Sequence, residues 1–309
     1  MNQHMKLNAP WMVAVWPGMG HVAMSAGYYL MAKLEMHSLA EFRALELFDV
    51  EHVEVKGGLV HTGRLPRSRL FGWIDPAGHH DIVVFIGEAQ PPMGKYAFCH
   101  RLIEFAGKLG VERVFTFAAM ATTMRPGQPS HVFAAAADEE TLAELRLLDL
   151  EILEEGYIGG LNGVLLGVAA ENGLRGACLL GELPQVFAQL PYPKAALAVL
   201  EPFAQIAGME VDLDELREQA EAMDGKLDEL LSQIEQAMGQ QDTAGDETVP
   251  AAESDDPPLS LEDQRHIERL FGQAGQDRST AYELKRELDR LGVFRDYEDR
   301  FLDLFKKPE

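Results

Sequence analysis

Short runs of consecutive apolar residues alternate with amphipathic stretches along the first 208 residues of the chain. Such runs are typical of strands buried on both faces, and they cover residues 11–16, 82–87, 111–119 and 176–180. Two shorter strands are predicted in a more polar region, at residues 53–60 and 69–73. Helices are predicted between the strands, at residues 21–36, 95–109, 139–148, 161–171 and 193–207. Residues 1–208 therefore predict an α/β core domain with a mostly parallel sheet covered on both faces.

A heptad pattern follows the core domain in residues 209–238. Apolar residues recur there at alternating spacings of three and four, which predicts one long amphipathic helix. Two interpretations stay open, because such a helix either lies on the α/β core or forms a helix–helix or oligomer contact. The candidate contact residues are Leu213, Leu216, Met223, Leu227, Leu230 and Ile234.

The pattern changes twice more before the chain ends. Residues 239–258 contain six acidic and no basic residues and almost no bulky apolar ones, so we predict a disordered acidic linker. Residues 259–309 regain apolar residues at helical spacing behind two capped helix starts, at Ser260 and Thr280. They predict a small helical tail that docks on the core, on another subunit or on a partner.

Charge and composition exclude several functions. The net charge of −23 argues against nucleic acid and anionic membrane surfaces as partners. Two cysteines in 309 residues rule out a disulfide scaffold and fit a reducing compartment. The first ten residues contain no signal-peptide-like apolar run, so we expect a cytoplasmic protein.

Polar and glycine residues cluster after the predicted strands, where open α/β sheets bind ligands. Gly18 and Gly20 form a Gly-x-Gly-x-x-Ala turn that resembles a dinucleotide-binding loop but also fits a plain strand-to-helix turn. The carboxylates of Glu88 and Glu182 and the guanidinium of Arg125 follow other predicted strands. Gly159, Gly160 and Asn162 stand at the start of a predicted helix, whose N-terminus is suited to binding an anion. These residues form either a ligand crevice or ordinary caps and turns. The candidate crevice comprises Gly18, Gly20, Glu88, Arg125, Gly159, Gly160, Asn162 and Glu182.

No recognisable catalytic set accompanies this crevice. His79 and His80 are adjacent, which is not a chelating spacing, and no Cys-x-x-Cys occurs. Cys99 and Cys178 fall in a predicted helix and strand, where core thiols are expected. The sequence has no nucleophile elbow or phosphate-binding loop. We therefore expect no metal and no cofactor, and the catalytic residues of any enzyme activity stay unknown.

Six segments in a fixed order resemble the proteasome assembly chaperone family, the prokaryotic relatives of the second proteasome assembly chaperone. They are residues 13–20, 87–91, 122–126, 156–163, 181–184 and 193–196. The resemblance covers residues 10–235. It implies a three-layer α/β/α fold with a mixed sheet, similar to nucleoside phosphorylases and related hydrolases. It also implies homo-oligomers and a chaperone-like or scaffold role. Some relatives dock on the proteasome through a hydrophobic-Tyr-x terminus, which residues 306–309 lack, so direct docking of that kind is not expected.

Two hypotheses about function follow. The first is a non-enzymatic assembly-chaperone-like or scaffold protein that self-associates and binds an unidentified protein partner. The alternative is a binder of a nucleoside, nucleotide or phosphate compound, or a hydrolase- or phosphorylase-type enzyme, that uses the crevice. A nicotinamide-dependent oxidoreductase is a third interpretation, which rests on the glycine turn alone.

Overall fold

A computed structural model describes residues 6–50, 53–241 and 259–306. Its strands are β1 (Trp11–Val15), β2 (His37–Phe42), β3 (Val53–Lys56), β4 (Leu59–Thr62), β5 (Ser68–Trp73), β6 (Ile82–Gly87), β7 (Arg113–Thr122), β8 (Val132–Ala136), β9 (Glu151–Ile152) and β10 (Arg175–Pro184). Its helices are α1 (Val22–Lys33), α2 (Lys95–Lys108), α3 (Glu139–Leu145), α4 (Gly160–Glu171), α5 (Pro193–Ala207), α6 (Asp214–Gln241), α7 (Leu261–Gln276), α8 (Ala281–Arg290) and α9 (Phe294–Asp303).

Eight strands form one mixed sheet in the order β2-β5-β6-β1-β7-β10-β8-β9. The four central strands β6, β1, β7 and β10 are mutually parallel. Strand β5 is antiparallel to β6, β2 is antiparallel to β5, and β8 is antiparallel to β10. The predicted α/β fold with a mostly parallel or mixed sheet is confirmed.

Alternate residues of β1 enter two separate cores, because successive side chains of a strand point to opposite faces of its sheet. Val13 and Val15 pack in the core that contains α1 and α5. Met12 and Ala14, together with Trp16 just after the strand, pack in the core that contains α2 and α4. Both faces of the sheet are thus covered by helices, which gives the three layers that the family resemblance implies.

Three strands, β2, β8 and β9, carry too little local signal to be predicted from the sequence. Strand β2 is the outermost on its side of the sheet, and four of its six side chains are half-buried, so it lacks a continuous apolar run. Strand β8 contains three alanines, which give little strand signal, and β9 has only two residues. The predicted strand over residues 53–60 is a hairpin, β3–β4. The prediction for β10 is too short, since the strand continues through Glu182 to Pro184.

Helix α6 carries the heptad residues, and its first half packs within the chain. Leu216 and Leu227 are buried, and Leu213 and Met223 are partly buried against the same core as α5. Leu230 is 40% exposed. The side chain of Ile234 lies outside the described part of the chain, and so do residues 242–258 of the predicted linker. The oligomer or partner contact through these residues stays a prediction.

The tail helices α7, α8 and α9 pack on the outer side of α1 by means of aromatic residues. Tyr28 of α1 meets Phe301 edge-on with ring centroids 5.6 Å apart, and Tyr29 meets Tyr282 at 4.5 Å. The backbone amide of Ser38 in β2 donates to the carbonyl of Phe305 at 2.7 Å. The described part of the tail therefore belongs to the folded body of the core domain. In the part of the chain that the structure describes, no helix is long and apolar enough to span a membrane.

One hydrogen bond at the tail interface involves a half-buried carboxylate, that of Glu298. The Tyr28 hydroxyl donates to Glu298 Oε1 at 2.8 Å. Burial raises the pKa of Glu298 above its ordinary value of 4.5; the Tyr28 bond and the charges of Arg69 and Arg64 oppose this rise, and the charge of Glu88 adds to it. Burial and the nearby Glu298 raise the pKa of Tyr28 well above 10, so its hydroxyl remains a donor.

Because the folded protein holds the proton of Glu298 more tightly than the unfolded chain does, ionisation of Glu298 destabilises the fold. The contribution of protonated Glu298 to stability is complete below pH 4.5, and it is lost as the pH rises through the raised pKa. We expect Glu298→Gln, which keeps an acceptor for Tyr28, to raise the free energy of unfolding at pH 7. Urea unfolding from pH 4 to pH 8 measures this, and the gain over the unsubstituted protein should vanish at the acidic end.

Glu221→Gln is the matched control, since Glu221 is exposed on α6. It should change the free energy of unfolding by less than about 0.5 kcal/mol. If the gain in stability of Glu298→Gln over the unsubstituted protein were smaller at pH 7 than at pH 4, the assigned direction of the Glu298 pKa shift would be wrong.

Candidate functional site

The predicted crevice residues lie at one edge of the sheet. Because β6, β1, β7 and β10 are parallel, their carboxyl ends meet at the same edge. Gly18 follows β1, Glu88 follows β6, Arg125 follows β7, and Glu182 lies near the end of β10. Helix α4 begins there as well, since Gln90 of the loop after β6 contacts its first turn. We call this region the carboxyl edge.

The carboxylate of Glu88 is surrounded by arginines. Its Oε2 accepts from the backbone amide of Arg67 at 2.8 Å, and its Oε1 accepts from Arg69 Nη2 at 3.0 Å. Arg64 Nη1 lies 3.1 Å from Oε2. The Glu88 side chain is only 9% exposed. This carboxylate is therefore occupied by three arginine partners and is closed to a ligand.

The same arginines reach the tail. Arg64, Arg67 and Arg69 each form an ion pair with Asp299 of α9. Burial, followed by the charge of Arg67, lowers the pKa of Arg69. One cluster of three cations and two carboxylates thus joins the start of β5 and the end of β6 to the tail.

Glu182 is also engaged within the protein. Its Oε1 accepts from Thr122 Oγ1 at 2.6 Å, and its Oε2 accepts from the backbone amide of His131 at 3.3 Å. The residue is 8% exposed. Both carboxylate oxygens therefore hold together the ends of β7, β8 and β10.

The distance between the two carboxylates bears on any acid–base chemistry. Strands β6 and β10 are separated by β1 and β7 in the sheet. Neighbouring strands are about 4.8 Å apart, so the backbone of β6 next to Glu88 and the backbone of β10 at Glu182 are roughly 14 Å apart. Paired carboxylates that share one reacting bond lie roughly 5 to 9.5 Å apart. Glu88 and Glu182 are therefore unsuited to act as such a pair.

The glycine turn after β1 is packed against the rest of the carboxyl edge. Gly20 has a φ of 60°, and a Cβ atom there would lie 2.4 Å from Leu183. Its amide donates to the carbonyl of Ala188 at 2.7 Å, and its carbonyl accepts from the amide of Tyr192 at 2.9 Å. Glycine is needed here for close packing on the β10–α5 connection. Gly18 is less crowded, because a Cβ atom there would lie 4.0 Å from its nearest described neighbour, the carbonyl oxygen of residue 16.

The N-terminus of α4 is capped by Gln90. Gln90 Oε1 accepts from the amide of Leu161 at 3.1 Å, and its Nε2 donates to the carbonyl of Pro17 at 3.4 Å. Gly160 has a φ of 69°, and a Cβ there would lie 2.9 Å from Gln90 Oε1. One amide side chain therefore occupies the position where the sequence predicts a bound anion, between Gly159–Gly160 and the turn that contains Gly18.

Asn162 and Arg125 complete the predicted set. The backbone carbonyl of Asn162 accepts from Thr116 Oγ1 at 3.3 Å, while its side-chain oxygen is buried without a hydrogen-bond partner among the described residues. Arg125 is exposed, and its amide donates to Gln128 Oε1 at 2.7 Å. The structure thus places all eight residues at one edge. Arg125 is exposed there, while the others lie at or beside three closed groups, around Glu88, around Gln90 and around Glu182.

The cysteines have the environment of core residues. Both Cys99 and Cys178 are buried as free thiols. Burial raises the pKa of each thiol to about 12, so neither supplies a thiolate at neutral pH. Among the described residues, no group of three or more His, Cys, Asp or Glu side chains is placed to hold a metal ion.

Several important residues at this edge are not among the candidates from the sequence. Gln90 enters only as part of a family motif, although it lies two positions after Glu88. Three closely spaced arginines, Arg64, Arg67 and Arg69, are a visible signal. Their partner Asp299 is 230 residues from Arg69, so no local pattern could have indicated it.

Large apolar side chains point outward around this closed edge. Met93 is 80% exposed, Val186 is 70% exposed, and Tyr157 is fully exposed. The set, which we call the carboxyl-edge patch, comprises Met19, Met93, Tyr157, Val186 and Leu190. Exposed apolar patches of this kind mark interaction surfaces, and Met and Tyr are enriched in protein interfaces.

The cap on α4 generates a testable prediction. Gln90→Ala removes the acceptor for the Leu161 amide, so we expect it to lower the free energy of unfolding by about 1 kcal/mol. Gln90→Glu keeps an acceptor at the positive end of the helix dipole but loses the donor to the Pro17 carbonyl, so we expect it to destabilise the protein less than Gln90→Ala does. Urea unfolding at pH 7 measures both variants.

Gln205→Ala on the exposed side of α5 is the control for the loss of a glutamine side chain, and it should have no measurable effect. Equal destabilisation by Gln90→Ala and Gln90→Glu would show that the cap does not act through the Leu161 amide.

Comparisons with known proteins agree with this architecture. The model of the PAC2 family matches residues 12–231. An uncharacterised protein of Methanocaldococcus jannaschii is 28% identical over 214 residues, which cover 67% of this chain and 78% of that protein.

Solved structures give the same result. Pyrococcus furiosus PbaA, described as an archaeal homologue of proteasome-assembly chaperone, is 25% identical with a TM-score of 0.58, and the match covers 77% of this chain and 93% of PbaA. Pyrococcus furiosus PbaB, described as an archaeal proteasome activator, shares the fold with 24% identity and a TM-score of 0.62, over 75% of this chain and 96% of PbaB. The resemblance drawn from the sequence motifs is confirmed: the chain belongs to the PAC2 family, whose structural neighbours are homologues of proteasome assembly chaperones.

Proposed function

We propose that this protein is a non-enzymatic, assembly-chaperone-like or scaffold protein of the cytoplasm that self-associates and binds a protein partner. The observation that carries the proposal is the contrast at the carboxyl edge. The polar groups that chemistry would need are bonded within the chain, whereas large apolar side chains face solvent. A surface of this kind is suited to contact with another protein.

The carboxyl-edge patch supports the partner-binding part of the proposal. Its members lie in the connections that follow β1, β6 and β10 or precede α4, and each connection is anchored at both ends by a strand or a helix of the core. The relatives PbaA and PbaB carry descriptions that refer to the proteasome. We therefore propose a subunit of a proteasome-type assembly as the partner.

The β3–β4 hairpin supports the self-association part. Among the described strands its two strands pair only with each other, and a two-stranded hairpin in water is marginally stable by itself. Val55 lies opposite Val60 in the register, and Val53 is two residues away on the same face. These valines are 50 to 67% exposed. A second copy of the chain that covers this face would bury three β-branched side chains.

The alternative function, a nucleoside, nucleotide or phosphate binder or enzyme, has one observation in its favour. Trp16 Nε1 and the side-chain oxygen of Asn162 are buried without hydrogen-bond partners among the described residues. Both lie on the α4 side of the sheet, beside the Gln90 cap. Two such groups without a charged partner are a weak basis for phosphate recognition, so we favour the protein-binding function.

Partner binding is tested with the double variant Met93→Glu/Val186→Glu. Two charges in the carboxyl-edge patch should reduce capture of a partner from the native lysate at least tenfold, read by quantitative mass spectrometry against the unsubstituted tagged chain. Ile74→Glu/Gln205→Glu adds the same charge at exposed positions away from the patch and should leave capture unchanged. Equal capture by both double variants would refute the role of the patch.

Self-association is tested by light scattering on the purified full chain. We expect the unsubstituted protein to be a multimer and Val55→Glu/Val60→Glu to be a monomer with unchanged far-UV circular dichroism, because these side chains are already exposed in one chain. The Ile74→Glu/Gln205→Glu variant should remain a multimer. A monomeric unsubstituted protein at a concentration of tens of micromolar would overturn this part of the proposal.

A further inference from the structure

The β3–β4 hairpin is exposed on both of its faces. Val55 and Val60 are 63% and 67% exposed on one face, and Leu59 is 68% exposed on the other. His61, which neighbours Val60, also faces solvent. Among the described strands, β3 and β4 pair only with each other. The hairpin is therefore an arm that the described part of the chain leaves uncovered on both sides.

The base of this arm is anchored beside the carboxyl edge. Phe48, which precedes β3, meets Phe98 of α2 edge-on with ring centroids 6.1 Å apart. Arg64, two residues after β4, forms an ion pair at 3.1 Å with the carboxylate of Glu88. Both ends of the arm are thus attached to the core domain, so a contact made by the arm is transmitted to the folded body.

The register of the hairpin places four side chains on one face. Val55 lies opposite Val60, and Val53 lies opposite Thr62. Directly opposite residues share a face of a sheet, and so do alternate residues of one strand. This set of exposed side chains, which we call the valine face, comprises Val53, Val55, Val60 and Thr62. It contains no ionisable side chain, although the chain as a whole carries a net charge of −23.

The valine face is complementary to a second copy of itself. Side chains on two paired strands form a flat surface, and two such surfaces pack face to face with their backbones about 10 Å apart. A twofold axis brings the same surface of two copies together. Two acidic copies repel one another wherever charged surfaces meet, so an uncharged apolar face is the kind of surface that they can share. Packing of this kind removes the valine faces of both copies from water.

The size of the valine face predicts a reversible contact. Strands about 4.8 Å apart and four residues long, with a rise of about 3.4 Å per residue, give a face of roughly 10 by 14 Å. Interfaces of stable complexes bury about 800 Å² per partner, which is much more than this face supplies. Leu45 and Val50, in the segment before β3, are 41% and 44% exposed and are available to extend the contact. We expect a dimer that dissociates on dilution.

We propose that two copies of this chain form a twofold-symmetric dimer in which the valine face of one hairpin packs on the valine face of the other. The inference rests on the proposed self-association and deepens it by naming the surface of the second copy that the hairpin contacts. Because each arm begins beside a carboxyl edge, the dimer joins two carboxyl-edge patches in one assembly. A partner with two equivalent sites would bind such an assembly more tightly than one copy.

Other arrangements of two copies use the arm less well. If the edge of the hairpin added to a strand of the second copy, backbone hydrogen bonds would form but the valine face would stay in water. If the valine face packed on the carboxyl-edge patch of the second copy, the contact would be heterologous and would give a ring or a filament. That contact would also compete with the proposed protein partner. The experiment separates both arrangements from the symmetric dimer.

The test is charge complementation between two double variants, Val55→Glu/Val60→Glu and Val55→Lys/Val60→Lys. Each variant alone should be a monomer by light scattering, because like charges would meet across the twofold axis. An equimolar mixture of the two should form a dimer, because the glutamates of one copy then meet the lysines of the other. We expect the dissociation constant of the mixed dimer to be at least tenfold lower than that of either variant with itself.

The matched control is Ile74→Lys/Gln205→Lys, which adds the same charge at exposed positions outside the arm. Mixed with Val55→Glu/Val60→Glu, it should leave that variant monomeric, so general attraction between the copies is excluded as the cause. Added sodium chloride should weaken the mixed dimer, whose contact is ionic. It should not weaken the unsubstituted dimer, because the valine faces are uncharged and the salt screens the repulsion between two acidic copies. All variants should keep the far-UV circular dichroism of the unsubstituted protein.

The inference is overturned if the unsubstituted protein is a multimer, each charged variant is a monomer and their mixture stays monomeric. The valine face would then contact a different surface of the second copy, and the proposed function would stand. Charged variants that both remain multimers would overturn the inference as well, because the contact would lie outside the arm. A monomeric unsubstituted protein at tens of micromolar would refute the inference together with the proposed self-association.

Discussion

The carboxylate of Glu88 brings three arginine side chains together at one end of the sheet. Three guanidinium groups at such short range repel one another, and a single buried carboxylate compensates only part of that repulsion. Asp299 of α9 supplies the second carboxylate. The core therefore has an electrostatic reason to keep its tail docked, in addition to the aromatic contacts of Tyr28 with Phe301. The docked tail in turn reaches β2, where the amide of Ser38 donates to the carbonyl of Phe305.

The same principle governs the rest of the carboxyl edge. Buried polar groups are stable only when they are bonded, and this chain bonds Glu88, Gln90 and Glu182 internally rather than leaving them for a ligand. Met93 and Val186 lie in the connections around this closed edge, and their side chains face solvent. The position that binds small molecules in many open α/β sheets is here filled by the protein's own side chains, and the proposed partner contact uses the apolar residues around it.

The central strands and the flanking helices were predictable because each carries a local signal, either a continuous apolar run or helical spacing. Strand β2 was not predictable, since an edge strand that is only half-buried lacks that run. The positions of Glu88 and Glu182 at one edge followed from the parallel sheet. The hydrogen-bond and ion-pair partners at this edge could not be predicted, because contacts such as that of Arg69 with Asp299 join residues far apart in the chain. Hydrophobic periodicity determines which face of an element is buried, but it contains no information about which loop or tail closes a site.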